Sequence, residues 1–254
     1  MAAILVTGTS GNVGGAVLRA LTAAGTHPRI AVRPGLTSPP PDGAVAFDFT
    51  QPDRWSAAFA GVESMFLLRP PALGNVRRDL LPAVAAARDA GVRHVVFLSL
   101  QGAERNPLVP HATVEQWLRS SGMRWTFVRA SFFHQNLSTT HAADIRDRDA
   151  IIVPAGRGAT AFVDAEDVGA VAAAALLDPD RHADRAWTIT GSRALTYDQV
   201  AAVLTAELAG PSATRVPACR RTPATRADSC GCRGGWWRSP RRSTPPPGSA
   251  WPPV

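Results

Sequence analysis

The chain has 254 residues, of which 45% are hydrophobic, enough for one large α/β core or for such a core with a small lobe. No apolar run reaches the length of a membrane span, and the start of the chain lacks the basic flank and cleavage site of a signal peptide, so we expect a cytoplasmic protein. The net charge of +7 arises beyond Thr214, because the residues up to that point carry 19 basic and 19 acidic side chains. A neutral globular part argues against a nucleic-acid partner.

The first predicted elements are a strand, a glycine-rich turn and a helix. The apolar run at 3–6 is typical of a buried parallel strand, and glycines then recur at three-residue spacing before a helical pattern begins. In such a turn glycine permits a tight bend, lets a pyrophosphate approach the backbone, and lets the helix pack closely on the strand. The predicted phosphate-binding residues are Gly8, Thr9, Ser10, Gly11, Asn12, Val13 and Gly14. The alternative is a tight turn that binds no ligand.

The remaining elements alternate between strands and helices. Further strands are predicted at 29–32, 44–47, 64–68, 94–98, 125–128, 151–153, 161–163 and 186–190. Helices are predicted at 54–59, 75–90, 111–120, 164–177 and 196–208, and the carboxylates at the start of the helix at 164 are expected to cap it. This alternation predicts an α/β fold with a Rossmann-like, doubly wound parallel sheet. We expect that domain to cover residues 1–210, with elements of a small and incomplete C-terminal substrate lobe from about residue 130.

The residues that follow the predicted strands bear on the choice of cofactor. Arg33 ends the second strand, where an NAD-specific site would carry an acidic residue, and its guanidinium can pair with a 2′-phosphate. This favours NADP(H) over NAD(H), although a solvated loop arginine is the alternative. Asp48 could accept a hydrogen bond from the adenine amino group or cap a turn. Leu68, Arg69 and Ser99 lie at the carboxyl ends of the fourth and fifth strands and are predicted to contact the cofactor.

An aromatic segment follows the sixth predicted strand. Phe132, Phe133 and His134 lie in what should be a loop over the crevice, and we expect them to form a wall of the substrate site. The two phenylalanine rings could stack on a nicotinamide or an aromatic substrate, or they could belong to the core.

The last 44 residues, 211–254, differ from the rest because periodicity ends while Pro, Arg, Trp and Cys accumulate. Such a segment is predicted to be an irregular tail. It is either a basic interaction tail or the product of a frameshift, since a frame two bases later could encode an amphipathic helix. Sequencing the gene would distinguish the two. Cys219, Cys230 and Cys232 lie here, and their spacing matches neither a metal pair nor a redox pair, so no metal site is expected.

Several motifs together resemble one protein family. They are Val6–Gly14, Phe66–Pro71, Gly91–Ser99, His111-x-x-x-Glu115, Ser121–Arg129 followed by Phe133–Asn136, and Val163–Asp167. On these motifs the chain resembles, over residues 3–208, the atypical short-chain dehydrogenase/reductases of the NmrA-like type, which include NAD(P)H:quinone oxidoreductases and triphenylmethane reductases. The resemblance implies a Rossmann-like domain with a small C-terminal lobe. It also implies an NADP(H) site at Gly8, Ser10, Gly11, Asn12, Val13, Gly14, Arg33 and Asp48.

The chain departs from typical short-chain dehydrogenases in its acid/base residues. Those enzymes use a Tyr-x-x-x-Lys pair, whereas this sequence contains no lysine and a single tyrosine, Tyr197. His111 and Glu115 stand where the pair would stand. His111 is therefore the candidate proton donor, with a structural role for this helix-start histidine as the alternative.

Three functional hypotheses follow. The first is an NADPH-dependent reductase of small, quinone-like acceptors, because hydride transfer to a flat electrophile needs mainly the positioning of two rings. The second is a non-catalytic redox sensor that binds the dinucleotide and regulates a protein partner. The third is a C-terminally damaged product that binds the cofactor poorly.

Overall fold

The computed structural model describes residues 3–35, 41–208 and 218–219. Two compact units are present. Among the described residues, the first comprises 3–35, 41–142 and 160–194, and the second comprises 143–159, 195–208 and 218–219. The tail that we predicted from residue 211 lies outside the described residues, apart from Ala218 and Cys219.

The strands have the following bounds: β1 Ala3–Val6, β2 Arg29–Val32, β3 Ala44–Ala46, β4 Val62–Leu68, β5 His94–Leu100, β6 Arg124–Ala130, β7 Ala150–Ile151, β8 Ala159–Thr160, β9 Arg185–Ile189, β10 Leu195–Thr196 and β11 Ala218–Cys219. The helices are α1 Asn12–Ala23, α2 Trp55–Phe59, α3 Val76–Asp79, α4 Leu81–Asp89, α5 Pro110–Ser120, α6 Gln135–Ser138, α7 Ala142–Arg148, α8 Ala165–Leu177, α9 Pro179–His182 and α10 Tyr197–Leu208.

The main sheet confirms the predicted Rossmann-like fold. Its seven strands in the described chain are parallel and follow the order β3-β2-β1-β4-β5-β6-β9. The strand order reverses between β1 and β4, and in such sheets ligands bind outside the carboxyl ends of the strands at this switch point. In the second unit, β7 and β11 pair in parallel.

Alternating residues of the central strands face two separate apolar layers. On β4 and β5, Met65, Leu67 and Phe97 pack with α2, α3, α4 and α5. Phe66 and Val96 point the other way and pack with α1 and α8. Both faces of these strands are therefore buried, which explains why the strands read as continuous apolar runs rather than as alternating patterns.

Helices α1 and α8 pack closely because of a glycine in α8. A Cβ atom at Gly169 would lie 2.4 Å from the Cβ of Ala16, so only glycine allows this approach. The side chains of Arg19 and Glu166 form an ion pair between the same two helices. The predicted cap of α8 is confirmed, since the carboxylate of Asp164 accepts a hydrogen bond from the Glu166 amide. Helix α1, which follows the glycine turn, is thus fixed along its length.

Some predicted elements were wrong in extent. The single helix predicted at 75–90 is two helices that meet at Leu80, because Pro82 has no N–H to continue the hydrogen-bond ladder. The strand predicted at 151–153 covers Ala150–Ile151 instead, and the one predicted at 161–163 covers Ala159–Thr160. In that second segment Val163 makes only an isolated bridge to Phe133. These short edge segments lack the long apolar run that marks the central strands.

A buried histidine lies at the amino end of β5, on the opposite edge of the sheet from the glycine turn. The Nε2 atom of His94 lies 2.9 Å from the hydroxyl of Thr126, which itself donates to the carbonyl of His182 at 2.7 Å. Nε2 must therefore donate, and Nδ1 has no partner within the described residues. Burial, followed by the charges of Arg124 and His182, lowers the pKa of His94 from 6.5 to about 4, against the opposing effect of Asp184.

This lowered pKa predicts a loss of stability in mild acid. Below pH 6.5 the unfolded chain binds a proton at His94 that the folded protein accepts only near pH 4. The free energy of unfolding should therefore fall through that window, by about 3 kcal/mol from this group when the loss is complete. Urea unfolding across the window measures the loss, and His94→Gln, which keeps an N–H donor, should reduce it. The exposed control His27→Gln should leave it unchanged. Equal pH dependence in wild type and His94→Gln would contradict the assignment.

Candidate cofactor and acceptor site

The glycine turn after β1 has the geometry that its spacing predicts. Gly8 has a φ of +70°, a conformation that other residues rarely adopt. A Cβ atom at Gly14 would lie 2.1 Å from the carbonyl oxygen of Gly8, so a side chain at this position would collide with the turn. A Cβ atom at Gly11 would have only one ordinary contact, at 3.4 Å from the carbonyl oxygen of Gly8, and the residue is exposed. The first and third glycines are therefore required by the fold, whereas the second leaves the backbone open to solvent.

The first turn of α1 has amide groups that the helix itself leaves without an acceptor. Gly11 is the N-cap and has no side chain to cap the helix, and its own N–H donates to Gly8 at 3.0 Å. The helical ladder begins with the Gly15 N–H, which donates to Gly11 at 2.9 Å. The preceding N–H groups of the first turn, from Asn12 to Gly14, have no acceptor inside the helix. Such groups, with the positive end of the helix dipole, bind phosphate.

A cavity of about 400 Å³ opens beside this turn. Thr9 and Ser10 of the turn form one part of its lining, and the ends of β2 and the segment after β3 form another, with Val32 and Phe47 as apolar walls. This volume lies within the range of small-molecule sites, and mostly apolar walls with a few polar groups are typical of them. The turn and the cavity together fit the adenosine and phosphate groups of a dinucleotide.

Two charged residues that were predicted to bind the cofactor also line the cavity. The Nε atom of Arg33 lies 3.5 Å from Oδ2 of Asp48, and the arginine side chain is 58% exposed. Oδ1 of Asp48 accepts hydrogen bonds from the amide and the hydroxyl of Thr50, so this carboxylate also caps a turn. Burial opposes its ionisation, but the Thr50 hydrogen bonds and the charge of Arg33 outweigh burial and lower the pKa of Asp48. The carboxylate is therefore ionised at neutral pH, with one oxygen turned towards Arg33.

Leu68 contacts the glycine turn from the end of β4. A Cβ atom at Gly8 would lie 3.2 Å from the methyl groups of Leu68, so the leucine closes one side of the turn. The hydroxyl of Thr7 donates to the carbonyl of Phe66 at 2.9 Å and accepts from the amide of Leu68 at 2.9 Å. These two bonds fix the ends of β1 and β4 against each other at the switch point.

Ser99 was predicted to contact the cofactor, but its hydroxyl faces α5 and does not line the cavity. Ser99 is buried and donates to Glu115 at 2.7 Å. Arg129, at the end of β6, binds the same carboxylate with two bonds of 2.9 and 2.6 Å, and Arg119 approaches it at 3.2 Å. Glu104 lies 3.3 Å from the remaining nitrogen of Arg129. Glu115 is thus part of a buried ion network that attaches α5 to the sheet.

Sequence reasoning identified Glu115 only through its spacing from His111 and did not find its arginine partner. The signal was available in part, because Arg129 ends an otherwise apolar strand and a buried arginine needs a carboxylate. Ser99, Glu115 and Arg129 come from three elements, and no local pattern shows that they meet.

Arg69 and His111 lie on the side of the sheet that α5 covers. Arg69 does not line the cavity, although the next residue, Pro70, does. His111 follows the first residue of α5, and its ring lies 5.9 Å from that of Phe97. Burial, and secondarily the charge of Arg69, lowers the pKa of His111 to about 4 against the opposing charge of Glu115. His111 is consequently neutral at physiological pH.

The three residues predicted to form an aromatic wall, Phe132, Phe133 and His134, do not all pack against the same neighbours. Phe132 stacks on His141 with ring centres 5.8 Å apart and meets Phe162 edge to face at 5.4 Å. Phe133 packs against the apolar layer of α1 and α8. His134 is exposed and stacks on Phe162 at 5.9 Å. Of the three predicted residues, His134 is the most accessible to a ligand.

Two further findings concern the described residues as a whole. No helix among them is both long and apolar enough to cross a bilayer. They also contain no group of three or more histidine, cysteine, aspartate or glutamate side chains placed to hold a metal ion. Cys230 and Cys232 lie outside the described part of the chain.

Comparison with known proteins gives consistent results. The sequence model of the NmrA-like family matches residues 1–216. The chain is 34% identical, over 82% of its length and 74% of the relative's, to an NAD(P)H azoreductase of Xenophilus azovorans. The triphenylmethane reductase of Citrobacter sp., solved with NADP(H), has a TM-score of 0.68 and 25% identity, over 85% of this chain and 79% of its own. An NADPH-dependent quinone oxidoreductase of Escherichia coli, solved with NADPH, has a TM-score of 0.68 and 25% identity, over 80% and 75%.

Proposed function

Because the chain belongs to the NmrA-like family, we propose that it is an NADPH-dependent reductase that transfers hydride directly to quinone-like or other flat electrophilic acceptors. The observation that carries the proposal is the glycine turn, with free amide groups at the start of α1 and an open cavity beside it. The azoreductase and the two NADP(H)-bound reductases named above support the same activity class.

The residues of the turn and cavity would hold the dinucleotide. In this proposal the amide groups from Asn12 to Gly14 bind the pyrophosphate, and Leu68 bounds the turn on the side of β4. The Oδ2 atom of Asp48, which accepts no hydrogen bond from Thr50, accepts one from the adenine amino group. When bound, the cofactor supplies a hydride from its nicotinamide ring.

The chain's contribution to the reaction is positioning. It contains no lysine, so the Tyr-Lys pair of typical short-chain dehydrogenases cannot operate. Direct hydride transfer needs the two rings to be close, oriented and shielded from water. We place the acceptor at the carboxyl ends of β4 and β5, with exposed His134 and its neighbour Phe132 on its outer side.

Two measurements with the purified full-length chain test the activity. NADPH should raise the midpoint of thermal unfolding, because a ligand that binds the native state stabilises it. A panel of quinones should then cause loss of NADPH absorbance that depends on the acceptor. A thermal shift without any turnover would instead support the non-catalytic sensor, and absence of both effects would reject the proposal.

The preference for NADPH over NADH depends on Arg33 in this proposal. Its Nε atom lies near Asp48, the side chain is exposed, and its terminal nitrogens would bind the 2′-phosphate. Arg33→Met should weaken NADPH binding about 10- to 100-fold, since a charge-assisted hydrogen bond contributes about 1.5–3 kcal/mol, and should change NADH binding little. Isothermal titration measures both. Arg93→Met, at the opposite edge of the sheet, is the matched control. An equal loss for both dinucleotides would contradict this role.

A further inference from the structure

Two buried nitrogen atoms without hydrogen-bond partners lie near the carboxyl end of β4. They are Nε of Arg69 and Nδ1 of His111, and neither has a partner within the described residues. A buried polar atom that lacks a partner destabilises the fold, and in native structures such atoms usually bind water, an ion or a ligand. Arg69 follows Leu68, which pairs with Leu98 of β5, and the ring of His111 lies 5.9 Å from that of Phe97 on the same strand, so both side chains lie near the carboxyl end of β5. Two unsatisfied atoms on neighbouring side chains suggest one missing ligand atom.

The guanidinium of Arg69 is already oriented by the backbone. Its Nη1 donates to the carbonyl oxygens of Pro70, Pro71 and Leu73 at 3.1, 3.3 and 3.0 Å. These bonds leave the edge formed by Nε and Nη2 without a partner in the described chain. This edge is one that arginine uses to bind carboxylate, phosphate and other negatively charged oxygens side-on.

His111 supplies a second donor rather than a second charge. Because its pKa is lowered to about 4, the ring is neutral near pH 7 and carries a single N–H. An oxygen acceptor beside Arg69 would favour the tautomer with that hydrogen on Nδ1. The ring is half-buried and lies against Phe97, which restricts its orientation.

The position of the pair relative to the sheet indicates which ligand it would meet. Leu68 of β4 pairs with Leu98 of β5. The next residues, Arg69 and buried Ser99, therefore lie side by side at the carboxyl ends of the two strands. This is the ligand-binding edge of the sheet. Pro70 lines the cavity next to the glycine turn, so the pair stands beside the cavity and on the side of α5.

We propose that Arg69 and His111 bind a carbonyl oxygen of the electron acceptor and stabilise the negative charge that this oxygen gains on reduction. The inference rests on the proposed reductase function. In the reaction a hydride bonds to one carbonyl oxygen of a quinone, and the displaced π-electron pair moves through the ring to the opposite oxygen. That oxygen becomes a phenolate and then takes a proton from water. Fixed donors aimed at developing charge are a major source of catalysis.

A phenol titrated in the presence of NADP⁺, which has no hydride to transfer, tests the pair without turnover. The probe is 4-nitrophenol, titrated into the full-length protein with NADP⁺ present, because its absorption distinguishes phenol from phenolate. Wild type should bind the phenolate about tenfold more tightly than the phenol, seen as a lowered pKa of the bound probe. Arg69→Met should abolish this preference and leave the affinity for uncharged 4-nitroanisole unchanged. Arg77→Met, an exposed arginine on α3, should behave as wild type.

The outcomes separate this inference from the proposed function. If NADPH binds and is oxidised but 4-nitrophenol shows no phenolate preference, or keeps it in Arg69→Met, the pair has no such role. If NADPH itself does not bind, the proposed function fails. Should Arg69→Met not fold, because Nη1 bonds three carbonyl groups, His111→Leu removes one donor and leaves those bonds intact. It should reduce the phenolate preference at least threefold, and an unchanged preference would overturn the inference.

Discussion

Gly14→Ala should abolish NADPH binding and destabilise the protein. The new methyl group would lie 2.1 Å from the carbonyl oxygen of Gly8, a distance that real contacts do not allow, and backbone must move to relieve it. Overpacking of this kind costs about 1–3 kcal/mol. The displaced backbone is the same segment whose amide groups would bind the phosphates, so affinity should fall at least 100-fold. Urea unfolding and isothermal titration measure the two effects.

Two further glycine variants separate folding from binding. A methyl group in Gly11→Ala would meet only one ordinary contact, so the stability should change by less than about 1 kcal/mol, yet the added bulk would lie beside the amide groups that are expected to bind the phosphates. We expect about tenfold weaker NADPH binding. Gly74→Ala, with nothing within 4 Å, should change neither property. Normal NADPH affinity in Gly14→Ala would show that the turn does not bind the cofactor.

Glu115→Ala should strongly destabilise the protein. It leaves the guanidinium of Arg129 buried without its two shortest bonds, and it removes the acceptor of the Ser99 hydroxyl. Removing one partner of a buried ion pair costs about 3–5 kcal/mol. Since Glu104 still contacts Arg129, we expect a loss of about 3 kcal/mol, measured as the free energy of unfolding in urea.

An exposed ion pair of similar length is the matched control. Asp180 binds Arg124 at 2.7 Å, close to the 2.6 Å between Glu115 and Arg129, but the Asp180 side chain is 90% exposed. Asp180→Ala should therefore cost less than about 1 kcal/mol. If the two substitutions have equal effects, burial does not determine the strength of the Glu115 network.

The central part of the fold was predictable because its signals are local. Both faces of β4 and β5 are buried, so these strands appear as apolar runs, and glycines such as Gly91 mark the ends of helices. The break at Leu80 was also marked locally, by Pro82, but the strong helical periodicity of 75–90 outweighed that signal in our prediction. Short edge segments such as Ala159–Thr160 carry too few residues to show any period.

The candidate site was predictable where one chain segment forms it. The spacing of the glycines in residues 8–14 predicts the turn, and the position of Arg33 directly after a strand predicts that it lies beside the turn. Ser99 contacts Glu115, 16 residues further along the chain, and pairs in register with Arg129, 30 residues away. No local sequence pattern predicts such long-range contacts. The unsatisfied atoms of Arg69 and His111 are likewise visible only when both neighbours are in place.

The closely docked pair of α1 and α8 has a consequence for synthesis on the ribosome. Strand β1 and helix α1 precede α8 by most of the described chain, and their shared apolar face, which includes Ile4 and Val17, is completed only by Val168 and Ala172 of α8. Most of the described chain must be translated before that surface is covered. Until α8 has been translated, the nascent chain exposes this apolar surface, and exposure of that kind favours aggregation.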